Sequence, residues 1–106
     1  MSADGSYFIK LRQSLEKKGV VFLDVREKKE REAGYLAGSL FCPLSDLLAN
    51  KRPAIDDLEC EIYTYCRSGY RSFTAKAILD AFGYKNVVAL SAGLRELAFH
   101  DFPLNN

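Results

Sequence analysis

The chain has 106 residues, a size for one domain spanning residues 1–106 that can bury a core without staples and leaves no room for a second. Fifteen basic residues against fourteen acidic ones leave a net charge of +1, and the basic residues are scattered, so nucleic-acid and membrane partners gain no support. Three cysteines with no C-x-x-C pair fit a reducing compartment, with the cytoplasm as the default, better than a disulfide framework.

The first residues, Met1-Ser2-Ala3-Asp4-Gly5, carry no basic n-region or apolar h-region, and no apolar run approaches membrane-spanning length. Phe8, Leu11 and Leu15 then recur at helical spacing after a cap at Asp4 or Ser6, and Lys17, Lys18 and Gly19 supply a cationic last turn and a stop. Residues 20–25 form a continuous apolar run, as in a central parallel strand covered on both faces. Asp24 and Arg26 at its end read as structural, although open α/β sheets place ligands at that edge. Residues 28–33 read as a short charged helix ended by Gly34, its charges a solvated face. Leu40-Phe41-Cys42 reads as a short strand closed by Pro43, and Ser45 as the cap of a helix through Leu47, Leu48 and Ala49.

Residues 62–65 alternate β-branched and aromatic side chains and break off at Cys66. Gly69 permits a sharp turn, and from Ser72 the apolar residues Ala75, Ile78, Leu79 and Phe82 mark a helix that Gly83 closes. Asn86 to Leu90 is a further apolar strand, and Ser91-Ala92-Gly93 turns it into a last helix over residues 94–99. In the tail, Phe102 and Leu104 are expected to cover the sheet. His100 is the only histidine, too few for a zinc site with these cysteines, and no metal site or cofactor is expected. Strands alternating with helices make an α/β parallel sheet wrapped on both faces.

The strand–loop–helix from Ile62 to Ser72 carries the chemistry. Such a loop turns successive N–H groups inward at a helix N-terminus, where the macrodipole favours an anion. With Arg67 and Arg71 beside it, Cys66 is expected to react as its thiolate. Cys followed by Arg, Ser, Gly, Tyr, Arg and Ser is too polar for core, so function outweighs a packing role. Cys42 and Cys60 are expected to pack as small apolar residues, or to resolve an oxidised Cys66 if either lies close to it.

At these residues the chain resembles the rhodanese family of sulfurtransferases, and specifically its single-domain members. Leu23-Asp24-Val25-Arg26-Glu27 is similar to the family's first signature, Gly34-Tyr35-Leu36-Ala37-Gly38-Ser39 to its second, residues 66–72 to its active-site loop, and Ala92-Gly93-Leu94 to its closing turn. Tyr35 stands where His is usual, Ala37 where Pro is, Ala92 where Gly is and Leu97 where an aromatic often sits. The resemblance implies a rhodanese-like three-layer fold, a central mostly parallel sheet with helices on both faces. It also implies a sulfurtransferase: Cys66 takes sulfane sulfur from thiosulfate, a polysulfide or a persulfide, carries it as a persulfide held by the loop N–H groups, and passes it to a thiol or cyanide. Arg67 and Arg71 would attract a small anionic sulfur donor, and Ser68, Gly69, Tyr70 and Ser72 would shape the site.

A Cys-based phosphatase or arsenate reductase uses a similar cradle but places one residue more between Cys and Arg, a ring better sized for a tetrahedral oxyanion. A non-catalytic persulfide carrier or docking module remains an alternative. The second signature, with Gly83-Tyr84-Lys85-Asn86-Val87, also resembles the rhodanese domain of CoA-disulfide reductase-type flavoproteins, which would make a sulfur-metabolism enzyme a partner.

Overall fold

The computed structural model describes residues 5–67 and 70–105. In chain order it contains α1 (Gly5–Gln13), a 3-10 turn (Ser14–Glu16), β1 (Val20–Asp24), α2 (Lys28–Glu32), β2 (Tyr35–Leu36), β3 (Leu40–Phe41) and α3 (Leu44–Leu48). There follow β4 (Glu61–Tyr65), α4 (Tyr70–Ala81), β5 (Asn86–Ala89), α5 (Leu94–Phe99) and β6 (Leu104–Asn105). The elements expected from periodicity are present, and two caps differ. Ser6 lies inside α1, Asp4 lies outside the described residues, and Ser45 lies inside α3, whose cap position is Pro43. Instead of capping, Ser45 donates its hydroxyl to Glu27 Oε1 at 2.7 Å. Gly83 ends α4 as expected, at φ +104°, a conformation that an L side chain resists.

Four strands form one parallel sheet in the order β3-β1-β4-β5. Residues 20–24 of β1 pair in register with residues 61–65 of β4, and β4 pairs with β5 on its other side. One face of the sheet, with Leu23, Ile62 and Val87, packs under Leu47 of α3 and Ala75 and Leu79 of α4. The opposite face, with Phe22, Tyr65 and Leu90, packs against Phe8 and Leu11 of α1, Leu97 of α5 and Phe102. Because alternate residues of β1 meet helices on opposite sides, that strand reads as a nearly unbroken apolar run up to Asp24. The result is the expected three-layer α/β architecture. His100 stacks on Phe8, ring centroids 3.7 Å apart, and its carbonyl accepts from Arg12 Nη1 at 2.7 Å, so it packs the seam between α1 and α5.

A second, two-stranded antiparallel ribbon pairs β2 with β6, Tyr35 opposite Asn105 and Leu36 opposite Leu104. It corrects the expectation for the tail. Phe102 is buried, but Leu104 is 43% exposed and forms a strand rather than a lid on the sheet. Two-residue strands offer too few positions for a period to show.

The expectation that the charges of α2 form a solvated face holds for Lys28, Lys29 and Glu32, which are exposed, and fails for Glu30 and Arg31. Asp24, with no exposed surface, accepts from Arg26 Nε at 2.9 Å through Oδ1, and from Arg26 Nη2 at 2.9 Å and Arg31 Nη1 at 3.3 Å through Oδ2. Arg26 also donates to Gly34 O at 2.6 Å, and Arg31 to both Oγ and O of Ser39. A buried carboxylate must be paired, and α2 supplies one of the partners. Tyr65 completes this frame. Its hydroxyl accepts from Leu36 N at 3.0 Å and contacts Ser39 Oγ at 3.0 Å; since Ser39 gives its own proton to Leu36 O, Tyr65 donates to Ser39. Burial pushes the Tyr65 phenol up to about 12.

Two substitutions test the frame by chemical denaturation. Tyr65→Phe leaves the Leu36 N–H without its acceptor and is expected to lower the unfolding free energy by about 1–3 kcal/mol. Arg26→Met strips the main partner from a buried carboxylate and is expected to lower it by about 3–5 kcal/mol. If Tyr65→Phe matched or exceeded Arg26→Met, the frame would depend on the tyrosine and not on the ion pair.

Candidate active site

Strand β4 runs up the middle of the sheet, and its last backbone contacts fix where the loop begins. Val25 N donates to Tyr65 O at 3.1 Å and Leu90 N to Thr64 O at 3.0 Å. Leu94 N, the first of α5, donates to Cys66 O at 3.0 Å. Cys66 therefore stands at the C-terminal edge of a central parallel strand, the edge at which open α/β sheets receive ligands, with no solvent-exposed surface of its own. The twelve-residue helix α4 begins at Tyr70. Its first turn is tied to the sheet by Thr64 Oγ1 donating to Ser72 O at 3.1 Å and Ser72 Oγ donating to Leu90 O at 2.7 Å. The helix N-terminus and the cysteine are thus held at the same edge.

The structure places the expected site residues unequally. Ser68 and Gly69 lie outside the described residues. Arg67 and Tyr70 are exposed, Tyr70 at 83%. Ser72 is fully buried, and its hydroxyl anchors the helix to strand β5's end in addition to any part its backbone plays at the site. Arg71 is bound by a carboxylate: Nη1 donates to Glu30 Oε1 at 2.6 Å and Nη2 to Oε2 at 2.8 Å. The guanidinium, with a backbone hydrogen bond from Glu27, holds the Glu30 carboxyl down at about 2. Glu30 in turn raises the affinity of Arg71 for its proton.

Cys42 and Cys60 share the apolar cluster of Cys66 on the α4 face. Burial, with Asp46 adding to it, pushes the Cys42 thiol up to about 11, and burial, Asp57 and Glu61 push Cys60 up as well. Both are protonated at neutral pH and pack as small apolar side chains. Among the described residues no group of three or more His, Cys, Asp or Glu side chains could hold a metal, and no helix is long and apolar enough to cross a membrane.

Two residues at this edge went unnoticed in the sequence. Glu30 is one, hidden among the charges of α2. The other is Arg95, in the first turn of α5, which lines two hollows that also include Arg67, of about 410 and 470 Å³. Its only signal was position, three residues after Ala92 in the closing turn.

The comparisons with known proteins agree with this layout. Residues 9–99 match the rhodanese-like domain family. A Schizosaccharomyces pombe protein named "Putative thiosulfate sulfurtransferase, mitochondrial" is 37% identical over 84 residues, covering 66% of this chain and 57% of that protein. A Bacillus subtilis protein named "Putative sulfur carrier protein YrkF" is 35% identical over 74 residues, covering 70% of this chain and 39% of that protein. The chain thus spans 39% and 57% of the length of these two curated relatives. Among solved structures, the human single-domain sulfurtransferase TSTD1 superposes with a TM-score of 0.75 at 26% identity, over 86% of this chain and 91% of that one. Since the match runs from within α1 to the end of α5 and takes in every element that positions Cys66, the chain belongs to the rhodanese-like domain family.

Proposed function

We propose that the chain moves sulfane sulfur by double displacement at Cys66. The observation that carries this reading is the contrast among the three cysteines. All three are buried, but Cys66 alone leads directly into the N-terminus of α4 and is followed by an exposed arginine. With thiosulfate as donor, the Cys66 thiolate attacks the outer sulfur. The S–S bond of thiosulfate breaks, sulfite leaves with its electron pair, and a Cys66 persulfide remains. Cyanide or a thiolate then attacks the terminal sulfur and regenerates the thiolate, cyanide departing as thiocyanate. Sulfite is a good leaving group, so the first step needs no general acid.

In this reading the N–H groups between Arg67 and Ser72 hold the terminal sulfur. Arg67 draws in an anionic donor, while Arg71, neutralised by Glu30, anchors the end of the loop to α2. A thiosulfate, a polysulfide or a low-molecular-weight persulfide would serve as donor, in a reducing compartment such as the cytoplasm, with a sulfur-metabolism enzyme as partner. The four residues between Cys66 and Arg71 suit a single sulfur atom better than a phosphoryl group.

Intact-mass spectrometry after exposure to thiosulfate and, separately, to a polysulfide tests the first half-reaction. Cys66 is expected to gain one sulfur atom that cyanide removes. Cys66→Ser abolishes both loading and turnover while keeping the fold, since a hydroxyl is not ionised at neutral pH. Cys42→Ser and Cys60→Ser keep most of the turnover. Loading without turnover identifies a carrier; retained transfer in Cys66→Ser ends the proposal.

The Glu30 anchor has a defined pH window. Its folded value of about 2 lies below its ordinary 4.5, so the bridge contributes fully above about pH 4.5 and is lost as pH falls toward 2. Glu30→Gln is expected to reduce the unfolding free energy by about 0.2–1 kcal/mol at neutral pH, as for a partly solvated pair. The difference from the parent protein closes on acidification. A difference that stayed constant from pH 7 to about 2 would mean that packing, and not charge, holds Arg71.

A further inference from the structure

Three buried residues at the C-terminal edge of the sheet bond one another in a closed triangle. Thr64 Oγ1 donates to Ser72 O at 3.1 Å, Ser72 Oγ donates to Leu90 O at 2.7 Å, and Leu90 N donates to Thr64 O at 3.0 Å. One corner belongs to β4, one to the first turn of α4 and one to the residue that follows β5. Thr64 and Ser72 have no exposed surface and Leu90 is buried, so water cannot replace a lost bond.

Of the three bonds, the one from the Thr64 hydroxyl joins α4 to the strand that carries Cys66. Side chains alternate along β4, so Thr64 lies between Ile62 and Cys66 on the face that α4 covers. A valine there would fill the same space with no polar group to bury. The hydroxyl instead ties the first turn of the helix to the strand two residues before the cysteine. Without it, Ser72 Oγ would still hold that turn to Leu90, beyond β5, and the turn could pivot over β4. The field of a helix N-terminus falls off within its first turn, and a hydrogen bond weakens steeply as its geometry is lost, so a pivot is felt at the sulfur.

We propose that Thr64 is a positioning residue for Cys66: acting through Ser72 O, its hydroxyl holds the first turn of α4 at the height over β4 where the helix N-terminus favours the thiolate. This deepens the sulfur-transfer reading and rests on it for the role of Cys66 as nucleophile.

Iodoacetamide, a neutral reagent, alkylates a cysteine at a rate set by its thiolate fraction and its access. Because Cys66 has no exposed surface, loosening of the domain alone would open it and speed the reaction, whereas loss of thiolate stabilisation slows it. The sign therefore separates positioning from mere stability. Thr64→Val is expected to slow alkylation of Cys66 about fivefold at neutral pH, followed by peptide mass so that Cys42 and Cys60 are counted apart. Thr64→Ser, which keeps the donor, restores the rate to within about twofold of the parent, and Ile62→Val, at an equally buried neighbour on the same face, leaves it there. Loading of sulfur from thiosulfate slows in Thr64→Val by the same factor. Should Thr64→Val not fold, Thr64→Ala takes its place with the same expectation.

An unchanged or faster rate in Thr64→Val overturns the proposal. So does a rate in Thr64→Ser as low as in Thr64→Val, or an equal fall in Ile62→Val. Slowed alkylation in Thr64→Val, in a protein whose Cys66 loads no sulfur, supports the positioning role and retires the transfer reading instead.

Discussion

The Asp24 carboxylate is the constraint on which the site depends. It has no exposed surface and sits at the end of β1, one strand away from Cys66. A buried charge is tolerated only when its partners are brought to it. Arg26 comes from the next turn of chain, and Arg31 from α2, so satisfying the carboxylate draws α2 against the sheet edge. Once α2 is there, Glu30, one residue before Arg31, meets Arg71 at the start of α4. A carboxylate that touches nothing in the reaction thus determines where the loop after Cys66 ends.

Three thiols in one apolar cluster show how position outweighs composition. Cys42 follows β3, Cys60 precedes β4 and Cys66 follows it, and all three are buried. Strand direction separates Cys66 from Cys60, and the helix that follows separates it from Cys42, since Cys66 leads into the twelve-residue α4 and Cys42 into the five-residue α3. In a parallel sheet every strand presents its C-terminal end to the same edge, where helices begin and their N–H groups converge. Cys60, at the opposite end of the same strand, lies instead with Asp57 and Glu61 nearby, charges that disfavour a thiolate.

The fold was largely legible because its main elements announce themselves locally. Residues 20–23 and 87–90 are apolar without interruption, and α4 has helical spacing closed by Gly83. The end of β4 was legible for a related reason: a polar, arginine-rich stretch cannot continue a buried strand. What remained hidden was the pairing of charges across elements. Glu30 and Arg31 are indistinguishable in sequence from Lys28, Lys29 and Glu32, since only the rotation of a five-residue helix decides which of them face the sheet. Arg95 was hidden likewise, because α5 meets Arg67 only in three dimensions. The β2–β6 ribbon escaped because two residues cannot display a period, and Leu104 was accordingly assigned to the core.

The bonds that frame Cys66 come from distant parts of the chain. Glu30 reaches Arg71 across 41 positions, Ser72 is fixed by Leu90, and Cys66 itself is fixed by Leu94, while β4 must insert between β1 and β5. Contacts so remote in sequence form late in folding, because closing long loops must precede any gain from the contacts. A chain still emerging from the ribosome therefore holds the cysteine but not its frame until residue 94 and the helix behind it have been made. The frame around Cys66 is a property of the folded domain, so a half-made chain holds the thiol without the contacts that fix its place.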